Sequence, residues 1–132
     1  MSGIVFTNGV FDILHKGHFQ LLQYAASLGE SLIVGINTDA SVKRLKGPSR
    51  PINDTRARAD QLSALPWVDE VYTFEEDTPY ELIKTLCPSI IVKGGDYTAD
   101  QVVGNDLAEV HIVPIVEGYS TTNIIANINT TR

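Results

Sequence analysis

The stretch GVFDILHKGH, residues 9–18, places His15 and His18 three positions apart with a glycine between them. The apolar run before it, residues 4–6, is typical of a short buried strand, and residues 19–28 carry apolar side chains at helical spacing. The two histidines are therefore expected where a strand leads directly into a helix. A strand followed at once by a helix predicts an α/β architecture.

The same alternation of short apolar runs and helical patterns continues along the chain. Because the runs are apolar on both faces and are separated by helices, we expect a parallel sheet with right-handed crossovers. The predicted fold class is α/β, a three-layer Rossmann-like doubly wound sandwich with a five-stranded parallel sheet, in a single domain over residues 1–132. The predicted strands are residues 4–6, 32–36, 71–74, 90–92 and 110–113, the predicted helices are 17–28, 54–65, 79–86 and 120–128, and 44–53 is the most loop-like stretch.

Composition and charge restrict the class of protein. The 132 residues carry a formal net charge of −6 with no long run of Lys and Arg, so we expect no nucleic-acid partner. No apolar stretch approaches the roughly 20 residues that cross a bilayer, so we expect no membrane association. The single cysteine, Cys87, leaves no internal disulfide and is expected to pack as a small apolar residue. Together these features predict a cytoplasmic protein.

Candidate ligands gather in four clusters, each where a predicted strand ends or a predicted helix begins. In the first, residues 8–18, the amides of a helix N-terminus and two imidazoles can donate to phosphate oxygens. The chain has no Gly-x-Ser-x-Gly motif, so the histidines have no obvious partner for acyl transfer. They favour stabilisation of charge on a phosphorus centre, and the alternative is a pair of surface histidines beside a helix cap.

The other three clusters each have a functional and a structural interpretation. The second is a basic loop in which Lys46 and Arg50, followed by Arg58, can clamp phosphates or form only a solvated charged loop. The third, residues 93–97, has two glycines that allow close approach of a nucleotide or acceptor, or form only a tight turn. The fourth, residues 118–124, offers hydroxyls that can bind β- and γ-phosphates or only cap a helix.

Residues 15–18, HKGH, are similar to the HxGH signature of the cytidylyltransferase-like nucleotidyltransferases. Six segments in order, NGVFDILHKGH, RLKG, SRPIN, FEEDTP, VKGGDY and STTNII, resemble the adenylyltransferase half of the ADP-heptose synthases. The resemblance implies transfer of AMP from ATP to D-glycero-D-manno-heptose 1-phosphate, for lipopolysaccharide core assembly, with release of pyrophosphate. It also implies Mg²⁺ carried with ATP, a homodimer, and a separate sugar kinase that supplies the sugar phosphate.

The resemblance also implies roles for individual residues. His15, His18, Lys46 and Arg58 are the expected catalytic residues, and Asp12 is the candidate Mg²⁺ ligand, with a hydrogen bond that stabilises the turn as its alternative role. The expected nucleotide-binding residues are Asn8, Gly9, Val10, Phe11, His15, Gly17 and His18 in the first cluster, Lys93, Gly94, Gly95 and Asp96 in the third, and Ser120, Thr121 and Thr122 in the fourth.

Two other functions stay open at this point. Glycerol-3-phosphate cytidylyltransferases are also similar, but Pro66 stands where they have an arginine, residues 94–97 replace Gly-Asp-Asp-Trp, and residues 116–118 lack the arginine of their Arg-Thr-Glu-Gly segment. Transfer of CMP or AMP to another small phosphate acceptor is therefore one alternative. A nucleotide-binding module without catalysis is the other, and it is disfavoured because both histidines, the basic loop and the hydroxyl cluster are all present.

Overall fold

Five parallel strands form the centre of the computed structural model, which describes residues 3–95 and 97–114. The strands are β1 (Ile4–Gly9), β2 (Ser31–Asn37), β3 (Glu70–Phe74), β4 (Ile90–Gly94) and β5 (Glu109–Val113). The helices are α1 (Lys16–Ala26), α2 (Asp39–Lys46), α3 (Thr55–Ser63) and α4 (Tyr80–Leu86), with a short 3-10 helix at Ala99–Gln101. The predicted helix 120–128 lies outside the described residues.

The order of the strands across the sheet is β3-β2-β1-β4-β5, and every neighbouring pair is parallel. The chain winds outward from β1 to β3, then returns to the other side of β1 for β4 and β5. The switch point, at which ligands bind in doubly wound sheets, therefore lies between the carboxyl ends of β1 and β4. This arrangement confirms the predicted five-stranded, Rossmann-like sheet.

The core consists of two apolar clusters, one on each face of the sheet. Consecutive residues of β1 belong to different clusters because side chains alternate along a strand: Val5 packs with Leu22 of α1 and Leu62 of α3, whereas Phe6 packs with Ile83 of α4. Helices thus cover both faces, which gives the three predicted layers. Among the described residues, no helix is long and apolar enough to cross a bilayer.

Helix α2 was not expected, because the sequence predicts a loop from residue 44 onward. Its eight residues include few large apolar side chains, and one of these, Leu45, is 48% exposed, so no apolar stripe marks the helix. The capping signals are nevertheless present: the Thr38 side chain accepts from the Ser41 amide, and Gly47 ends the helix with φ 106°. The predicted helices 17–28, 54–65 and 79–86 correspond to α1, α3 and α4 within two residues at each end.

The expectation that Cys87 packs in the interior is wrong. Cys87 is exposed and ends α4 in the left-handed conformation, with φ 52°. Its Sγ donates to the Lys84 carbonyl oxygen at 3.3 Å. Because a residue at this position closes the helix end, its side chain lies at the surface rather than against the sheet.

Candidate active site

The space between the carboxyl ends of β1 and β4, at the switch point of the sheet, is called the crevice below. The two strands pair only where Val5 meets Ile90 and Phe6 meets Ile91. One residue further, Thr7 reaches β4 through its side chain, whose Oγ1 donates to the Val92 carbonyl oxygen at 2.7 Å. Beyond that contact the strands do not pair, so the segments that follow them can surround a ligand.

His15 and His18 cap helix α1 through a reciprocal pair of hydrogen bonds at one wall of this crevice. The amide of Gly17 donates to His15 Nδ1 at 3.1 Å, and the amide of His15 donates to His18 Nδ1 at 3.3 Å. In a neutral imidazole the accepting nitrogen carries no proton, so each ring carries its proton on Nε2. The backbone of the cap therefore selects the tautomer of both histidines.

Burial keeps both imidazoles neutral near pH 7. Burial, reinforced by the neighbouring His15, lowers the pKa of His18 to about 4, and burial also lowers the pKa of His15. The centroids of the two rings lie 3.9 Å apart with the ring planes tilted by 33°, and the centroid of the Phe11 ring lies 5.1 Å from that of His18. The histidines are thus neutral hydrogen-bond donors held in a fixed geometry, rather than cations.

The depressed pKa of His18 predicts a loss of stability in acid. The unfolded chain takes up a proton near the ordinary histidine pKa of 6.5, whereas the folded chain resists protonation down to about 4. The stabilisation is therefore complete above pH 6.5 and is lost as the pH falls from 6.5 to 4, by about 3 kcal/mol at most. Urea unfolding of the wild type and His18→Asn across this range isolates the effect of His18 and its interaction with His15, since groups that do not contact His18 titrate alike in both. Parallel pH profiles of the two proteins would contradict the assignment.

The turn between β1 and α1 has an uncommon backbone conformation. Phe11 has φ 52°, a left-handed value that costs a non-glycine residue energy, and its ring is buried. A Cβ at Gly9 would lie 3.0 Å from the Phe11 ring, so a larger residue there would push the ring away from the end of the strand. The turn thereby places the Phe11 ring beside the His18 ring.

Asp12 anchors the loop that precedes α3. Its carboxylate accepts hydrogen bonds from the amides of Ile52 and Asn53 at 2.7 and 2.8 Å and from Arg50 Nε at 3.2 Å. Burial alone raises the pKa of Asp12, but these three hydrogen bonds outweigh it and the net pKa is lowered. Both carboxylate oxygens therefore have partners within the chain. A role as Mg²⁺ ligand stays a prediction, and the described residues contain no group of three or more His, Cys, Asp or Glu able to hold a metal ion.

Arg58, in helix α3, is fully buried. A guanidinium has five N–H groups, and here all five donate to oxygen atoms of the protein. Its role on a phosphate stays a prediction, because the contacts in this structure join segments of the chain to one another. The acceptors are the carbonyl oxygens of Asn53, Val10 and Asn37, at 2.9, 3.0 and 2.8 Å, Asp39 Oδ1 at 2.9 Å and Thr55 Oγ1 at 3.3 Å.

Lys93 supplies a positive charge at the other wall of the crevice, at the end of β4. Burial lowers its pKa, and the positive charge of Lys46 lowers it further, so the two ammonium groups act on each other. The Lys93 Nζ lies 5.5 Å from the centroid of the Tyr97 ring. Gly95 turns the chain away with φ 126° and donates from its amide to the Val113 carbonyl oxygen at 3.0 Å. Two neighbouring ammonium groups create a field that favours an anion between them.

The structure thus brings most of the predicted site residues to one edge of the sheet. Asn8 and Gly9 end β1, and Val10, Phe11 and the two histidines follow it. Lys93 and Gly94 end β4, Gly95 follows them, and Lys46 ends α2. Asp96 and Ser120 to Thr122 lie outside the described residues. Sequence reasoning missed Asn37 and Asn53, whose backbone oxygens accept from Arg58, because no motif marks them.

The sequence is similar to known proteins over almost its whole length. The model of the Cytidylyltransferase-like family matches residues 6–131. The chain is 62% identical over 123 residues to the Bifunctional protein HldE of Nitratiruptor sp., and 55% identical over 130 residues to that of Syntrophotalea carbinolica. These matches cover 92% and 95% of this chain but 27% and 26% of the relatives, so the chain spans about a quarter of their length.

Solved structures confirm the fold class. The lipopolysaccharide core biosynthesis protein from Thermoplasma volcanium superposes with a TM-score of 0.70 at 30% identity, over 86% of this chain and 95% of that one. Pantoate-beta-alanine ligase from Francisella tularensis superposes with a TM-score of 0.63, over 98% of this chain and 66% of that one. The second pair is 16% identical, so that likeness concerns the fold alone.

Proposed function

Since the chain belongs to the cytidylyltransferase-like family and is a nucleotidyltransferase, we propose that it transfers AMP from ATP to D-glycero-D-manno-heptose 1-phosphate. The products are ADP-heptose and pyrophosphate. The observation that carries the chemistry is the crevice between β1 and β4, with neutral histidine donors on one wall and Lys93 on the other. The choice of ATP and of the heptose phosphate rests on the identity to the HldE proteins and on the sequence segments shared with ADP-heptose synthases.

The reaction joins two anions, so alignment and neutralisation of charge are the main tasks of the protein. An oxygen of the acceptor phosphate attacks the α-phosphorus of ATP, a P–O bond forms, and the bond to the pyrophosphate oxygen breaks in line with it. The acceptor phosphate is itself a nucleophile, so no covalent enzyme intermediate is needed. Mg²⁺ enters as part of the MgATP substrate and neutralises phosphate charge there.

The histidines and lysines divide this work. His15 and His18 donate from Nε2 to oxygens of the α- and β-phosphates, where negative charge grows as the bond breaks. Lys46 and Lys93 hold the phosphates from the opposite side as point charges. The nucleotide is surrounded by residues 8–11 together with Gly94, Gly95 and Asp96. Its β- and γ-phosphates are held by Ser120 to Thr122.

The partners and location belong to the same proposal. A sugar 1-phosphate arises by phosphoryl transfer to a sugar, so a sugar kinase activity is expected to precede this reaction. ATP and sugar phosphates are found in the cytoplasm, and we expect the protein to act there as a homodimer. Analytical ultracentrifugation of the purified chain measures the oligomeric state directly.

Pyrophosphate release in the presence of Mg²⁺ tests the proposal. ATP and CTP are each combined with heptose 1-phosphate and with glycerol 3-phosphate, which gives four reactions. We expect release with ATP and heptose 1-phosphate at a rate at least tenfold above the other three. Release with CTP and glycerol 3-phosphate would assign the chain to the cytidylyltransferase alternative. Binding of MgATP by calorimetry without release in any reaction would favour another acceptor or a module without catalysis.

A further inference from the structure

We propose that Asp12 and Arg58 are positioning residues, which together hold residues 50–53 against the histidine turn and so fix the basic loop relative to the imidazoles. This inference rests on the proposed nucleotidyl transfer and identifies what sets the geometry of its site. It gives both residues a role that acts through the chain rather than through contact with a phosphate or a metal ion.

The first observation is that Asp12 and Arg58 meet at one residue, Asn53. The Asn53 amide donates to Asp12 Oδ1 at 2.8 Å, and its side-chain Nδ2 donates to the Asp12 carbonyl oxygen at 2.6 Å. The Asn53 carbonyl oxygen accepts from Arg58 Nε at 2.9 Å. Every polar group of Asn53 except its side-chain oxygen is thus used to join the histidine turn to helix α3.

The second observation is that Arg58 connects the same network to three segments of the chain. Its Nη1 donates to Val10 in the histidine turn at 3.0 Å and to Asn37 at the end of β2 at 2.8 Å. Its Nη2 donates to Asp39 at the start of α2 at 2.9 Å. One rigid guanidinium therefore ties the turn after β1, the end of β2 and the helix that carries Lys46 to the same point.

The third observation is that this network is buried and charged. The Arg58 side chain is 0% exposed and that of Asp12 is 1% exposed. Buried charges carry a large desolvation cost, and an apolar replacement of similar size is often as stable, so stability alone does not account for them. Fixed geometry does account for them, since both charges act through several short hydrogen bonds at once.

The fourth observation concerns the segment that the network restrains. Residues 43–46, 48 and 49 are exposed, and Gly47 has φ 106° with no atom within 4 Å of the place where its Cβ would lie. Little packing therefore fixes the loop between Lys46 and Arg50. Its anchors are α2 on one side and the hydrogen bonds to Asp12 on the other, so Asp12 determines how closely the loop cations approach the histidines.

Asp12→Asn is the direct test, because it keeps the shape of the side chain but replaces one accepting oxygen with a donor. That donor faces an amide or a guanidinium N–H, so the hydrogen bonds of the replaced oxygen are lost, either the one to Asn53 or the two to Ile52 and Arg50. We expect MgATP to bind about tenfold more weakly by calorimetry and the kcat of pyrophosphate release to fall about tenfold. The amides of Ile52 and Asn53 should lose protection against hydrogen exchange. The Mg²⁺ concentration that gives half of the maximal rate should not change.

Asp54→Asn is the matched control. Asp54 is the exposed N-cap of α3 and accepts from the Ala57 amide at 2.8 Å, so it is the same residue type one position beyond the network. This variant is expected to lower Tm slightly while leaving kcat, MgATP binding and the protection of Ile52 and Asn53 unchanged. If Asp12→Asn behaves in the same way, the positioning role is excluded. A tenfold shift in the Mg²⁺ requirement of Asp12→Asn would overturn it too, in favour of a metal ligand.

Arg58→Lys and Asn53→Ala keep the inference testable if Asp12→Asn does not fold. A lysine keeps the charge but cannot span the four segments, so it should give the same loss of MgATP affinity and of amide protection. Asn53→Ala removes only the 2.6 Å side-chain contact and should give a smaller change in the same direction. Amide protection and MgATP affinity do not depend on the acceptor. A wild type that releases no pyrophosphate would therefore count against the proposed function, while unaltered protection in these variants would count against this inference.

Discussion

Replacing His18 with alanine is expected to lower the kcat of pyrophosphate release on the order of 10²–10³-fold. Its ring is neutral, it carries its proton on Nε2, and the His15 amide holds it at 3.3 Å through Nδ1. A donor that is already oriented needs no reorganisation when charge develops on a phosphate oxygen, so its loss appears mainly in kcat. The KM for MgATP should change by less than tenfold, because Lys46 and Lys93 still hold the phosphates.

His18→Asn separates this effect from the capping role of the same residue. The oxygen of an asparagine side chain can accept from the His15 amide as Nδ1 does, but its amide group does not extend to the position of Nε2. We expect its kcat to be as low as that of the alanine variant. Its free energy of unfolding should stay near that of the wild type, whereas His18→Ala loses about 1 kcal/mol with the cap. A His18→Asn variant with near wild-type kcat would mean that His18 serves only the helix.

The fold follows from signals that are local in the sequence. Apolar runs of three to five residues separated by helical patterns were sufficient to predict the five strands and their parallel arrangement. Helix α2 was not predicted because its eight residues bury Ser41 and Val42 but leave Leu45 exposed. The pattern of apolar residues is therefore too short to indicate a helix. Its N-cap, Thr38, and its C-cap, Gly47, were the signals that could have identified it.

In the candidate site, too, the residues marked by local sequence patterns were predicted, and the contacts between residues distant in the sequence were not. The histidines were found because they stand where a predicted strand leads into a predicted helix, and Lys93 because it follows a predicted strand. The topology brings the ends of β1 and β4 together. The contacts of Asp12 with residues 50–53 span about forty positions of sequence, and those of Arg58 reach back to the turn after β1. The residues that flank Asp12 and Arg58 in the sequence do not indicate which groups these side chains contact. A buried arginine and a solvated arginine therefore look alike until the chain is folded.

Lys93→Met is expected to lower kcat about 10²-fold while leaving Tm equal to or above that of the wild type. Lys93 is partly buried at the end of β4, and burial together with the charge of Lys46 lowers its pKa. Before a substrate binds, the ammonium is therefore in an unfavourable place, and methionine fills the same space without a charge. When phosphates bind, the same ammonium faces negative charge, so its repulsion by Lys46 is replaced by attraction to the substrate.

The pH dependence of Tm gives this prediction a second measurement. Because the pKa of Lys93 is lower in the folded chain than its ordinary value of 10.5, wild-type stability should rise as the pH increases through the folded pKa towards 10.5. The difference in Tm between Lys93→Met and the wild type should therefore shrink over that range.

Lys84→Met is the matched control, since Lys84 is an exposed residue in the last turn of α4, which leads into the opposite end of β4. A lysine there interacts favourably with the helix C-terminus, so its loss should lower Tm slightly and leave kcat unchanged. Opposite signs for the two changes in Tm would mean that the protein keeps Lys93 charged for its substrate at the expense of its own stability. A Lys93→Met enzyme with kcat within threefold of the wild type would remove Lys93 from the site.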